Sequence, residues 1–200
     1  MLVRDRMSAP VITIAPDRPL REASRLLLRH RLRQLPVMRG EQLAGIITHR
    51  DLRAARHLGR SVATVMTAKP FTIAPDAAID EAARLLRTYK IGGLPVVEDK
   101  QLRGIITVAD VLDAFVDWSG VGASSARLVV RGRGARALET RARRAVERGR
   151  GELRWLYRDA RTRPHQLHLR VIATRMADVV AALEAAGFEV VRVVKPPRAR

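Results

Sequence analysis

Two seven-residue segments, Gly45-Ile46-Ile47-Thr48-His49-Arg50-Asp51 and Gly104-Ile105-Ile106-Thr107-Val108-Ala109-Asp110, carry residue types suited to holding a phosphorylated sugar. In each, an apolar run of strand character gives way to helical periodicity at the Thr. Its hydroxyl and the next backbone N–H groups therefore lie at a helix N-terminus, where an anion such as phosphate is favoured. The Asp three positions on offers only acceptors, so its carboxylate can take two hydrogen bonds from the vicinal hydroxyls of a ribose. Apolar residues near Ile12, Leu35 and Pro36, and near Thr72, Leu94 and Pro95, would wall a slot for a base. Thr-x-x-Asp is also the capping-box pattern that merely starts a helix, and spacing alone leaves both readings open.

The elements that must position these residues come from an internal repeat with an offset of 59. Aligning residues 3–55 with 62–114 gives about 24 identities in 53 positions, which marks a duplicated unit. Thr13 to Asp17 (TIAPD) returns at Thr72 to Asp76, and LPV at 35–37 returns at 94–96. Within each copy, VITI or FTI reads as an extended strand entering a Pro-Asp turn, and 20–30 or 79–89 has apolar residues at helical spacing. LPVM or LPVV and LAGIIT or LRGIIT read as two short buried strands around a turn, and helical periodicity resumes after the Asp. The unit is β-α-β-β-α. One unit of about 55 residues leaves a sheet face uncovered, so two copies stacked sheet to sheet bury what one cannot.

Composition narrows the function classes. The chain has no cysteine, which excludes disulfides, thiolate metal sites and cysteine nucleophiles and fits a reducing cytoplasm. No run of about 18 apolar residues and no signal-peptide core occurs, so neither export nor a membrane span is expected. The net charge of +18 comes almost wholly from arginine, with lysine only at positions 69, 90, 100 and 195. Nineteen basic residues stand against thirteen acidic ones before position 120, and nineteen against seven after it. Such a field attracts polyanions, although arginine-rich solvated faces account for it more simply. No nucleophile-base-orienter set, carboxylate pair or metal motif recurs: Ser61, Ser119, Ser124 and Ser125 lack a His and Asp context, so no catalytic or metal-ligating residue and no catalytic cofactor is expected.

Residues 120–125 are small and read as a linker. Beyond them the order is β-α-β-β-α-β: a strand at 126–130, a helix from Ala135 to Arg148, strands at 151–159 and 165–173, a helix from Met176 ended by Gly187, and a strand at 188–194. This is the ferredoxin-like succession, with two helices over one face of an antiparallel sheet. Trp155 and Tyr157 alternate onto one face of a strand, which fits packing in a core or interface, with stacking on a base as the alternative. His165 and His168 fall on opposite faces and do not suit a shared metal. The Arg131-Gly132-Arg133-Gly134 stretch lacks the strand-to-helix pattern of a phosphate loop.

The two GIITxxD segments, the two LPV strands and the VRDRMSAP and VATVMTAKP openings resemble the cystathionine-β-synthase (CBS) domain family over residues 2–118. The resemblance implies an α+β tandem CBS pair over 1–119, with repeats at about 2–58 and 61–118, that binds an adenosine nucleotide (AMP, ADP, ATP or S-adenosylmethionine). It assigns Thr48 and Thr107 to phosphate and Asp51 and Asp110 to ribose. His49 and Arg50 add positive charge only to the first copy, against Val108 and Ala109 in the second. The first site should therefore prefer more phosphate, and an empty second site is an open alternative. Residues 126–194 resemble an ACT domain, as in acetoin-utilisation-type CBS-ACT regulators, ahead of a basic tail at 195–200. The Arg-Gly-Arg-Gly turn departs from the turn with which ACT domains hold amino acids, so dimerisation suits this domain better. Together these imply a cytoplasmic regulatory sensor, not an enzyme, that forms a homodimer and transmits its state to the ACT-like domain or to a protein partner. Nucleic-acid binding through the arginine-rich second half, or a ligand-free dimerisation adaptor, are the alternatives.

Overall fold

Leu20, Ala23 and Leu27 recur at the spacing that lines one face of a helix, and all three are fully buried in α1 (Leu20–Arg29) of the computed structural model. Its first turn is braced by an ion pair, Arg18 Nη2 to Glu22 Oε2 at 2.6 Å. The structure describes residues 1–55, 57–120, 125–133, 137–159, 161–162 and 164–195, and divides the chain into two units, Met1–Ala114 and Phe115–Arg200. After α1 the first unit continues as β1 (Gln34–Arg39), β2 (Gln42–Thr48), α2 (His49–Ala54), β3 (Thr67–Ala68), α3 (Ile79–Tyr89), β4 (Gly93–Glu98), β5 (Gln101–Thr107) and α4 (Val108–Ser119). The division falls inside α4, ahead of the expected linker. Of that linker, residues 121–124 lie outside the described residues.

β1 and β2 form an antiparallel hairpin, as do β4 and β5, with the same register 59 residues apart. The strands expected at VITI and FTI reduce to single parallel bridges, Ile14 to Val37 and Ile73 to Val96. Pro36 and Pro95 have no N–H to give, so the ladder there rests on Ile14 N–H to Pro36 O (3.1 Å) and Ile73 N–H to Pro95 O (3.1 Å).

The repeat read from sequence is not the packing unit. Val3, fully buried, packs with Ile73, Ala82, Leu94 and Ile106 of the second repeat. Its counterpart Val62 packs with Leu20, Leu27, Leu35 and Ile47 of the first. Backbone bonds fix the exchange: Val3 N–H to Ala77 O (2.9 Å) and Arg4 N–H to Pro75 O (2.8 Å) mirror Val62 N–H to Arg18 O (2.8 Å) and Ala63 N–H to Pro16 O (2.8 Å). β3 then pairs with the free edge of β2, and Ser8 bridges β5 at Ile105. This crossing explains the glycine that opens each GIIT segment. A Cβ on Gly45 would lie 2.8 Å from Thr67 O, and one on Gly104 would lie 3.1 Å from Ser8 O, each also meeting a Met66 or Met7 sulfur. Gly45→Ala should therefore cost about 1–3 kcal/mol, and more than Gly104→Ala, because the backbone oxygen it meets lies closer; urea unfolding of the two variants measures the difference.

The second unit comprises β6 (Ala126–Gly132), α5 (Leu138–Arg148), β7 (Glu152–Asp159), β8 (Gln166–Ile172), α6 (Met176–Ala185) and β9 (Phe188–Val194). Its antiparallel sheet runs in the order β7-β8-β6-β9. Leu128, Val130, Leu167 and Leu169 point to one face, where they close a core with Leu138, Val146, Val179 and Leu183 of the two helices. α5 starts at Leu138; Ala135, where its start was expected, lies outside the described residues, as do Gly134 and the tail residues 196–200. Trp155 and Tyr157 are not core residues: a bulge between Leu153 and Trp155 turns them to the opposite face, where Tyr157 is 51% exposed.

Candidate ligand site of the first unit

At the end of β2, Thr48 keeps an extended backbone while its carbonyl already belongs to α2, and the same step recurs at Thr107. Asp51 Oδ2 accepts both the Thr48 N–H (2.8 Å) and the Thr48 hydroxyl (2.7 Å), and the Asp51 N–H reaches back to Thr48 Oγ1 at 3.4 Å. Asp110 does the same with Thr107, at 2.7, 2.7 and 3.4 Å. The capping box is thus formed in both copies. It uses one carboxylate oxygen only. Oδ1 of each Asp has no partner among the described residues.

The first-turn amides show the same economy. His49 N–H bonds Arg33 O (3.1 Å) and Val108 N–H bonds Gly92 O (3.2 Å), which leaves the Arg50 and Ala109 N–H groups unpaired among the described residues. Each copy therefore presents one open acceptor and one open donor within its first helical turn, groups that suit a sugar hydroxyl and a phosphate oxygen. The copies differ in where positive charge could come from. α2 has only six residues, too few to develop an appreciable dipole, so the first copy depends on the half-buried His49 and exposed Arg50 side chains. α4 has twelve residues but carries Val108 and Ala109 at those positions.

The expected base-wall residues do not come together as one slot. Leu35 and Leu94 are fully buried within the two cores, and Pro36 and Pro95 are buried beside them in the same strands. Leu35 and Leu94 pack into the cores from strands whose residues 34–37 and 93–96 are all buried. Ile12 is half-buried against the first core. Thr72 is exposed and lines a cavity of about 320 Å3 with Gln42, Leu43, Lys69, Pro70, Val97 and Lys100. A second cavity of about 790 Å3, lined among others by Pro10, Val11, Thr13, Glu41, Gln101 and Leu102, occupies the counterpart place. Both adjoin the start of β2 or β5, six residue steps or roughly 20 Å from Thr48 and Thr107. Two of the four lysines in the chain, Lys69 and Lys100, line the first cavity, where the second has Pro10 and Glu41 at the matching positions.

Gln34 escaped notice in the sequence. It opens β1 opposite Thr48, is only 9% exposed, and reaches across to its own counterpart position, Gly93, which lies opposite Thr107. A Cβ on Gly93 would collide with the Gln34 amide. The Gln34 Nε2 is buried with no partner among the described residues. An unpaired buried amide costs about 1–3 kcal/mol, so Gln34→Leu should raise the urea midpoint of the first unit while weakening any ligand response that uses the amide. The signal available in sequence was the mismatch itself, Gln against Gly at one repeat position.

Among the described residues no group of three or more His, Asp or Glu could hold a metal. No helix there is long and apolar enough to cross a membrane. His165 lies just before β8 with Nε2 3.2 Å from an Arg158 nitrogen, whereas His168 is within the strand, 3.5 Å from an Arg127 nitrogen.

A duplicated sheet-and-helix unit with exchanged openings and twin Thr-Asp boxes defines a paired α+β module. The model of the CBS domain matches residues 3–58 and again 62–117, and the chain belongs to the CBS-domain family. An inosine-5'-monophosphate dehydrogenase from Korarchaeum cryptofilum (strain OPF8) is 40% identical over 102 residues, 50% of this chain and 21% of that enzyme. The chain thus spans about a fifth of the length of the curated relatives it matches. Among solved structures, the CBS domain pair of protein MJ0100, in complex with 5'-methylthioadenosine and S-adenosyl-L-methionine, is 32% identical with a TM-score of 0.56, covering 58% of this chain and 97% of that one. CBSX2 in complex with AMP is 29% identical with a TM-score of 0.55, covering 58% and 96%. AcuB from Vibrio cholerae is 29% identical with a TM-score of 0.56, covering 61% and 95%. Homologous CBS pairs therefore hold adenosine ligands.

Proposed function

We propose that this chain is a regulatory sensor whose CBS pair binds an adenosine nucleotide, AMP, ADP, ATP or S-adenosylmethionine, at Thr48–Asp51 and Thr107–Asp110. The observation that carries the reading is the open Oδ1 of each capping Asp, in the same first turn as a backbone N–H unpaired among the described residues. Asp51 and Asp110 take the ribose hydroxyls, and Thr48 and Thr107 border the phosphate. His49 and Arg50 bias the first site toward more phosphate, and the buried Gln34 amide supplies a donor between the two boxes. Binding acts by differential affinity for two arrangements of the pair, shifting their populations for the second unit or a protein partner to read.

The strand order β7-β8-β6-β9, with both helices over one face, supports a ferredoxin-like, ACT-type second domain over residues 126–194. A cytoplasmic homodimer without catalytic activity is the assembly this reading expects. Thermal unfolding of the full chain with AMP, ATP and S-adenosylmethionine tests it. A ligand at 100 times its Kd adds about 2.7 kcal/mol to the native state. No change in midpoint with any of the three would leave both Asp residues as helix caps.

A further inference from the structure

The face of the second sheet turned away from α5 and α6 carries the side chains that its alternation sends outward. Register and bulges place Arg127 and Val129 of β6, His168 and Arg170 of β8, and Arg192 of β9 on this face. Trp155 and Tyr157 of β7 lie opposite Arg170 and His168 and share the same side. The two rings stack on each other with centroids 5.9 Å apart and planes 9° from parallel, and Tyr157 continues to His168 at 6.1 Å. The result is a row of three flat rings across two neighbouring strands. Four outward arginines, at 127, 131, 170 and 192, stand against three carboxylates, Glu152, Asp159 and Glu189; Glu189 is already paired with Arg131 at 3.4 Å and Glu152 with Arg154 at 2.7 Å, while Arg170 donates to Ser125 Oγ at 3.3 Å.

We propose that this sheet face, outside the corner where Gly120 and Ser125 pack on Arg170, binds single-stranded RNA, with Trp155, Tyr157 and His168 stacking on unpaired bases and the exposed Arg127 and Arg192 meeting the phosphates. Charge selects this occupant. A second copy laid face to face would set its arginines against these arginines, whereas a phosphate backbone complements them. The rings select a single strand, because only unpaired bases offer both faces to an aromatic platform, and RNA loops and ends present them. The arginine excess of the second half, nineteen basic residues against seven acidic beyond position 119, gives the long-range attraction. The proposal is independent of nucleotide sensing by the first unit.

The test is fluorescence anisotropy of the full chain with a labelled U20 RNA at several salt concentrations, alongside the corresponding DNA strand, an RNA duplex and a heparin competitor. The W155A/Y157A double variant should bind U20 RNA at least tenfold more weakly, while Tyr157→Phe, which keeps the ring, binds as the parent. Arg192→Ala should reduce the slope of log affinity against log salt by about 0.7. In a Trp118→Phe background, RNA should quench the fluorescence of Trp155. Thermal melts of each variant separate lost binding from lost folding. Unchanged affinity of the double variant, equal binding of duplex, or full displacement by heparin at charge equivalence would reduce the face to unspecific charge and overturn the proposal. Equal affinity for the DNA strand would overturn the assignment to RNA. A dimer seen by light scattering and dissociated by Tyr157→Ala would make the face an interface between copies instead.

Discussion

Removing residues 1–8 should destabilise the second repeat, some 70 to 100 residues away in sequence, and leave the first repeat's core intact. The deletion takes Val3 from a closed core and strips five backbone bonds, among them Ser8 N–H to Ile105 O (2.9 Å) and its return from the Ile105 N–H to Ser8 O (3.1 Å). Burial of Val3 and Met7 together with these bonds puts the loss at roughly 3 kcal/mol or more. Point variants localise the effect. Val3→Ala should speed hydrogen exchange at Val96 and Ile106, and Val62→Ala at Val37 and Ile47, each costing about 2 kcal/mol. Protection lost in the repeat that contains the substituted residue, instead of in the other, would contradict the exchanged packing.

The second large effect belongs to Asp51. Asp51→Ala removes a cap, worth about 1 kcal/mol, and the open carboxylate oxygen with it. Without ligand the variant should melt a few degrees below the parent. With AMP at 100 times the parent's Kd, the parent should gain about 2.7 kcal/mol, or roughly 5–10 °C for a chain of this size, and the variant almost none of it. Asp51→Asn separates the two roles. Its amide oxygen can still accept from Thr48, but its NH2 cannot accept from a ribose hydroxyl, so the cap largely survives while the ligand response falls. Asp110→Ala measures the second site in the same way, and Arg50→Ala should weaken AMP more than adenosine if phosphate is held at the first. A full AMP response in the D51A/D110A double variant would sink the assignment of ribose to these carboxylates.

Much of the first unit was legible because its signals are local. The 59-residue offset, the LPV and GIIT strands, the amphipathic stretches at 20–30 and 79–89 and the Thr-x-x-Asp boxes each depend on neighbours within a few residues. Periodicity and capping chemistry report that range. The box geometry appeared as its residue types require, in both copies. Which strand residues could wall a slot was less legible, because alternation along a strand says that Leu35 and Pro36 face opposite ways without saying which way is closed.

Three features were settled only by the tertiary structure. Which core Val3 joins depends on which free sheet edge its segment can reach, and identical repeats leave that choice undetermined in sequence. The burial of Gln34 depends on its meeting Gly93 across the pair, a contact that no window of either repeat contains. The face on which Trp155 and Tyr157 stand depends on one bulge at Arg154: strict alternation would have placed them with Leu153 under the helices, and one extra residue sends them to the open side. Sequence by itself determined the repeat, the helices, the hairpin formed by each LPV and GIIT pair, the two Thr-Asp boxes and the excess of arginine, because these are properties of residue type and spacing. The three-dimensional packing decided which surfaces close and which stay open, because burial is a competition among distant segments for the same apolar faces.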